Sequence, residues 1–225
     1  MQANQPSGAD VSISRAVPPP GEDTDTYRPW LSAFVANNLN VTRAFYTHPK
    51  ILVVGLNGPA VGLSAALISH ADFIYAAPHA YLLTPFSSLG LLAEGGASRA
   101  LVRRLGPARA NEALLMSKVI PCAELLAAGF VNKVFDDLPS KDSGAGGAEG
   151  NAFRTRLLAE VDERLGEHLN GESLLGIKQL IRAPEADAMD GQNLREHFAG
   201  LERFVKGVPQ EQFRKLAMGE KRHKL

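Results

Sequence analysis

Between Arg28 and His48 the apolar side chains Leu31, Phe34, Val35, Leu39, Val41, Phe45 and Tyr46 recur at helical spacing, although Asn37, Asn38 and Asn40 interrupt the stripe. Thr26 stands where an N-cap belongs, Pro29 fits a first turn, and Pro49 ends the helix. The pattern then changes. Ile51-Leu52-Val53-Val54-Gly55-Leu56 is a continuous apolar run, too short to span a membrane and rich in β-branched residues, which predicts a strand buried on both faces. Asn57-Gly58-Pro59 ends it, and Gly62 opens a small-residue helix, GLSAALISHA. Two further runs, Phe73–Ala76 and Tyr81–Thr84, read as strands separated by a turn at Pro78 and His79.

After Gly96 the segment SRALVRRL is helical, Gly106-Pro107 breaks it, and PARANEALLMS restarts. Ile120-Pro121 breaks the chain again, CAELLAAG forms a short helix ending at Gly129, and FVNKVF is a last strand. Residues 136–151, which include SKDSGAGGAEG, have the composition of a loop. Beyond them every pattern is helical: Phe153–Leu169 with Leu157, Leu158, Val161 and Leu165 on one face, then Ser173–Arg182, then Pro184 to about Val205, then Pro209–Met218. The order predicts an α/β core with parallel crossovers over 27–135 and a helical region over 152–225 that covers the core or packs on another subunit. Residues 1–26, with Pro18-Pro19-Pro20 and GEDTDT, read as a flexible segment. The core is short of strands, because a parallel sheet needs neighbours on both sides and cover on both faces.

Composition narrows the possibilities. A chain of 225 residues with 45% hydrophobic content can bury one sizeable core, and its zero formal charge points away from nucleic acid as a partner. A single cysteine, Cys122, rules out an internal disulfide or a thiolate metal cluster and fits a reducing compartment. No apolar run reaches transmembrane length, and MQANQPSGADVSIS has neither the basic start nor the apolar core of a secretory signal. His48, His70, His79, His168, His197 and His223 lack ligand spacing, so no metal or cofactor is expected.

Chemistry concentrates in two places. Glu94 lies between Leu91-Leu92-Ala93 and Gly95-Gly96. An apolar setting raises a carboxyl pKa and suits a general base, yet the same position suits an exposed glutamate capping the next helix. In Gly58-Pro59-Ala60-Val61-Gly62-Leu63-Ser64, glycines at a strand-to-helix turn either aim backbone N–H groups at a developing oxyanion or merely permit tight packing. The segment lacks dinucleotide and Walker spacing and the glycine-flanked serine of a nucleophile elbow. Ser7-Gly8-Ala9-Asp10 taken alone is a surface turn, and Phe73, Tyr81 and Phe86 read as core.

Taken together, WLSAFVANNLNVTRAF, LNGPAVGLSAAL, YLLTPFSSLGLLAEGG and the basic tail resemble the crotonase, or enoyl-CoA hydratase/isomerase, superfamily, and more narrowly its fungal peroxisomal Δ3,Δ2-enoyl-CoA isomerases. The resemblance, from about Arg28 to Leu225, implies an α/β fold with a crotonase-like (ClpP/crotonase) spiral core followed by a helical C-terminal region. It implies isomerisation of 3-enoyl-CoA to trans-2-enoyl-CoA in fatty-acid β-oxidation or a related acyl-CoA pathway. Glu94 is then the catalytic carboxylate, the N–H groups of Ala9 and Leu63 form the oxyanion hole, and Gly8, Gly62, Phe86 and Leu91 border the substrate. Coenzyme A enters as part of that substrate, not as a cofactor. The two catalytic glutamates of hydratases fall near Ala66 and Phe86, neither acidic, which disfavours the alternative of an enoyl-CoA hydratase. In the family, additional strands precede the Gly-x-Asp segment, whereas Ser7-Gly8-Ala9-Asp10 follows Met1 almost at once, so the N-terminal sheet is expected to be incomplete. That leaves open a non-catalytic acyl-CoA-binding or oligomer-partner protein. The family implies a homo-oligomer, trimer or hexamer, and His223-Lys224-Leu225 resembles a peroxisomal address read by an import receptor.

Overall fold

The computed structural model describes residues 25–137 and 146–222, so Gly8, Ala9 and the terminal tripeptide lie outside the described residues. The first amphipathic stretch forms one helical rod: α1 (Tyr27–Trp30), a π-helical turn (Leu31–Ala36) and α2 (Asn37–Tyr46). The π turn explains why the apolar stripe reads poorly at a strict helical period. It shifts the phase of everything after it, so that Phe34 and Val35 are buried while Leu31 stays exposed.

The run after Pro49 becomes β1 (Val53–Leu56), followed by β2 (Ala60–Val61), α3 (Leu63–Ile68), β3 (Phe73–Ala76) and β4 (Tyr81–Leu83). A 3₁₀ turn (Ser87–Leu89) leads to α4 (Ala97–Met116), kinked at Gly106-Pro107 where the break was expected. Then come β5 (Ile120–Pro121), α5 (Cys122–Ala127) and β6 (Lys133–Val134). These strands form two three-stranded sheets: β1-β3-β6, all parallel, and β2-β4-β5, with β5 antiparallel. Four strand-like runs are legible in the sequence. The additional strands, β2 and β5, are two residues each and too short to carry a pattern of their own. In β3, Ile74, Tyr75 and Ala76 are all buried, as a covered parallel strand requires.

The main core lies around α3, α4 and α5 and includes Ile74, Leu82, Leu101, Ile120, Leu125 and Phe130. The other face of β1-β3-β6 is covered by α6 (Gly146–Leu165), a helix that reaches back into the stretch read as a loop. Phe153 packs there with Phe135, whose ring stacks on Tyr75 at 5.6 Å. Next, α7 (Gly171–Arg182) is capped by Asn170, which accepts from the Ser173 N–H at 2.9 Å. Its Lys178 and Arg182, one turn apart, both grip Asp72 at 2.6 and 2.7 Å. Finally α8 (Ala186–Val205) stacks Phe204 on Trp30 and Phe34, each at 4.6 Å, before α9 (Val208–Ala217). The helical region therefore covers both the sheet and the first helical rod.

Candidate active site

The turn from β2 into α3 is made in one residue. Gly62 holds φ 62° and ψ −129°, and its N–H donates to the Leu83 carbonyl at 2.8 Å. A side chain at that φ would be strained, so glycine permits the abrupt change of direction. Helix α3 then starts at Leu63, and its first internal bond is made by the Ala66 N–H to the Gly62 carbonyl at 3.2 Å. The Leu63 N–H precedes that bond and has no acceptor among the described residues, as expected of a first helical turn.

Glu94 comes from a different part of the chain, between the 3₁₀ turn and α4. Two consecutive glycines after it, Gly95 and Gly96, have φ 72° and 73°. A Cβ on Gly95 would lie 2.8 Å from the Ala66 Cβ and 2.9 Å from the Leu63 Cδ1. The acid loop therefore lies directly on the first turn of α3, which brings the sites at Leu63 and Glu94 together. Glu94 is half-buried, and the Asn38 Nδ2 of α2 donates to its Oε2 at 3.0 Å.

Two further groups pin the loop. His70, just beyond α3, is almost fully buried, and desolvation pushes its pKa down to about 4. It is neutral at physiological pH, so the hydrogen sits on Nε2, which donates to the Gly95 carbonyl at 2.8 Å. Glu196 of α8 accepts from the Gly96 N–H at 2.7 Å, the Ser98 N–H at 2.9 Å and the Ser98 Oγ at 2.5 Å. Burial drives the Glu196 pKa up, and those donors at the start of α4 act against it.

Among the other sequence candidates, Gly62 serves as the N-cap of α3. Phe86 is 2% exposed within the main core, and its carbonyl accepts from the Leu91 N–H at 2.8 Å. Leu91 is half-buried between the main core and the cluster around Phe34 and Phe204. Sequence reasoning missed Asn38, His70 and Glu196. Asn38 read as a flaw in an apolar stripe, and an amide at a half-buried helix position was the available signal.

A cavity of about 920 Å³ lies elsewhere, among Tyr46, Asp72, Arg104, Leu174, Lys178 and Met189. It reaches the acid loop only through His70 and Met189, which pack on Gly96. Its Asp72 is already held by Lys178 and Arg182, so the chemistry belongs to Glu94 rather than to the roomiest space.

Residues 32–141 match the enoyl-CoA hydratase/isomerase family profile. A Δ(3,5)-Δ(2,4)-dienoyl-CoA isomerase of Pyricularia oryzae is 63% identical over 225 residues, which is 97% of this chain and 78% of that protein. A 3,2-trans-enoyl-CoA isomerase of Saccharomyces cerevisiae is 36% identical, over 97% of this chain and 76% of its own length. Among solved structures, an enoyl-CoA hydratase/isomerase from Pseudoalteromonas atlantica superposes with a TM-score of 0.65 at 26% identity, covering 82% of this chain and 68% of that one.

Proposed function

The chain belongs to the enoyl-CoA hydratase/isomerase family, and from that premise we propose that it moves the double bond of 3-enoyl-CoA to give trans-2-enoyl-CoA, with Glu94 as the base. The observation that carries this reading is the Glu94 carboxylate, held by Asn38 on a loop packed against the first turn of α3. Glu94 takes a proton from C2 of the thioester and becomes a carboxylic acid. The electron pair delocalises into a dienolate whose negative charge falls on the thioester oxygen. Fixed backbone donors suit that charge because they need no reorganisation as it develops, and losing one costs roughly 3 kcal/mol in comparable sites. The Leu63 N–H supplies one donor, and the family resemblance assigns the other to Ala9. The same carboxyl group then returns its proton at C4, so the double bond moves from C3–C4 to C2–C3 and Glu94 is regenerated. Asn38 keeps Oε2 in place through both transfers.

A second reading, conversion of a 3,5-dienoyl-CoA to a 2,4-dienoyl-CoA, is favoured by the 63% identity to the Pyricularia oryzae relative. In that reaction the proton travels from C2 to C6, roughly twice the span from C2 to C4 in bond-length terms. The two oxygens of one carboxylate match the shorter span better. Hydration is disfavoured because positions 66 and 86 carry alanine and phenylalanine, both buried.

The deciding experiment supplies 3-enoyl-CoA, 3,5-dienoyl-CoA and 2-enoyl-CoA in parallel to the wild type and to Glu94→Gln. Turnover of 3-enoyl-CoA that falls at least about 1,000-fold in Glu94→Gln is the expected result, since a general base contributes on the order of 10²–10⁴. Equal rates in the two proteins would end the assignment of Glu94. Faster turnover of the dienoyl substrate would select the second reading, and acyl-CoA binding without turnover would select a non-catalytic role. Peroxisomal location is proposed from His223-Lys224-Leu225; a fluorescent fusion with that tail exposed should become punctate, and a cytosolic signal would refute it. A homo-oligomer is proposed as well, supported by the exposed Ile177, Leu180 and Ile181 of α7. Light scattering that returns a monomer mass would contradict it.

A further inference from the structure

We propose that one turn of α8 positions the catalytic base, with Glu196 and Asn193 as positioning residues that fix Glu94 and its partner Asn38 relative to each other; this rests on Glu94 being the base. Two separate tethers converge there. On the loop side, both Glu196 carboxylate oxygens receive hydrogen bonds from the residues that follow Glu94, namely the Gly96 N–H, the Ser98 N–H and the Ser98 hydroxyl. On the partner side, the Asn193 Nδ2 donates at 3.2 Å to the carbonyl of Leu39, the residue next to Asn38. Asn193 and Glu196 are three positions apart on α8 and therefore neighbours on one face. Both are buried, at 3% and 6% exposure. Gln192 adds a bond from its Nε2 to the Ser98 Oγ at 2.7 Å.

The arrangement exceeds what α4 needs for its own stability. A helix start is ordinarily capped by a serine, threonine, aspartate or asparagine at the cap position itself. Here the cap position is Gly96, with φ 73° and no side chain, and a Cβ there would meet Met189 and His70. The capping carboxylate instead comes from 100 residues further along the chain. A buried carboxylate is costly unless every lone pair is used, so placing it here ties the acid loop firmly to α8. Through Asn193 the same helix also holds the rod that carries Asn38. Helix α8 is in turn seated on that rod by Leu201 and Phe204 against Phe34. The Asn38–Glu94 distance is thus a property of α8.

The test combines steady-state kinetics with a double-mutant cycle. Glu196→Gln keeps the shape but swaps one acceptor oxygen for a donor that faces other donors. Its kcat for 3-enoyl-CoA should fall about 10- to 100-fold with KM within about threefold, and the acid limb of its pH profile should move. Adding Asn38→Leu to Glu196→Gln should cost less than threefold further, because both changes act through one hydrogen bond. Fully additive losses, or wild-type kinetics in Glu196→Gln, overturn the proposal. If Glu196→Gln does not fold, Asn193→Leu replaces it in the same cycle with the same criteria. Glu94→Gln run alongside separates the two ideas: an inactive Glu94→Gln beside a fully active Glu196→Gln removes only the positioning role, whereas an active Glu94→Gln removes both. Should turnover be too slow to follow, a ¹³C NMR titration of the Glu94 carboxyl decides: a shift of its pKa in Glu196→Gln supports positioning, and an unchanged titration refutes it.

Discussion

Replacing Gly95 with alanine should damage both stability and catalysis, and the structure allows the two contributions to the loss of stability to be separated. Gly95 has φ 72°, where an L side chain costs about 1–2 kcal/mol. Its new Cβ would also lie 2.8 Å from the Ala66 Cβ and 2.9 Å from the Leu63 Cδ1. Ala66 is fully buried and cannot rotate away, so overpacking adds about 1–3 kcal/mol. Reduced freedom of the unfolded chain returns about 0.4–1 kcal/mol. The net loss is about 2–4 kcal/mol, and at about 2–4 °C per kcal/mol for a chain of this size the melting temperature should fall by about 4–16 °C. Two control variants isolate the causes. Gly207→Ala has the same strain, φ 71°, with no atom within 4 Å of the new Cβ, and should lose only about 1 kcal/mol. Gly58→Ala has neither positive φ nor a close neighbour and should stay within about 0.5 kcal/mol. Calorimetry of the three proteins gives the order, and the isomerase assay should show Gly95→Ala about 100-fold slower because Glu94 is pushed off α3. If Gly95→Ala melts with Gly207→Ala and keeps its rate, the acid loop does not rest on α3 as described.

Asn38→Leu removes a hydrogen bond to a charged group and should lower kcat by about 10- to 100-fold, matching about 1.5–3 kcal/mol. Asn38→Asp should also move the acid limb of the pH–rate profile upward, because a second carboxylate disfavours ionisation of Glu94; an unchanged limb would show that the two residues do not interact. His70 predicts a pH effect on folding. Unfolded, it takes its proton near 6.5, but burial and then the nearby cations Arg182 and Arg104 hold it down to about 4 in the folded protein. Between those values the unfolded state binds more protons, so stability falls as pH drops from about 6.5 to 4, by up to about 3 kcal/mol. His70→Gln, which still carries a donor for the Gly95 carbonyl, should flatten that slope in urea titrations at pH 7, 6 and 5. Parallel slopes in the two proteins would rule His70 out as the source.

Much of this molecule is decided locally and is therefore legible in the sequence. The apolar run before Asn57-Gly58-Pro59, the period of Phe73–Ala76, the Gly106-Pro107 break and the helical pattern after Phe153 each depend on neighbours within a few positions. Each predicted an element where one is found. Glu94 stood out for the same reason, as a lone acid between apolar residues and glycines. Its neighbour Leu63 was legible because a glycine marks where a strand turns into a helix. Other features have no local signature. Strands β2 and β5 are two residues each and exist only because β4 lies between them, which also divides the strands into two sheets. The bond from Asn38 to Glu94 crosses 56 positions, and that from Glu196 to Gly96 crosses 100. Hydrogen bonds over such distances leave no periodicity, since either partner alone is only a polar residue in a helix. The sequence by itself determined which residue carries the acid and which turn exposes a backbone donor. Only the tertiary structure decided that these two meet, because contact across the fold depends on how Gly95 packs on Ala66 and how α8 holds the loop.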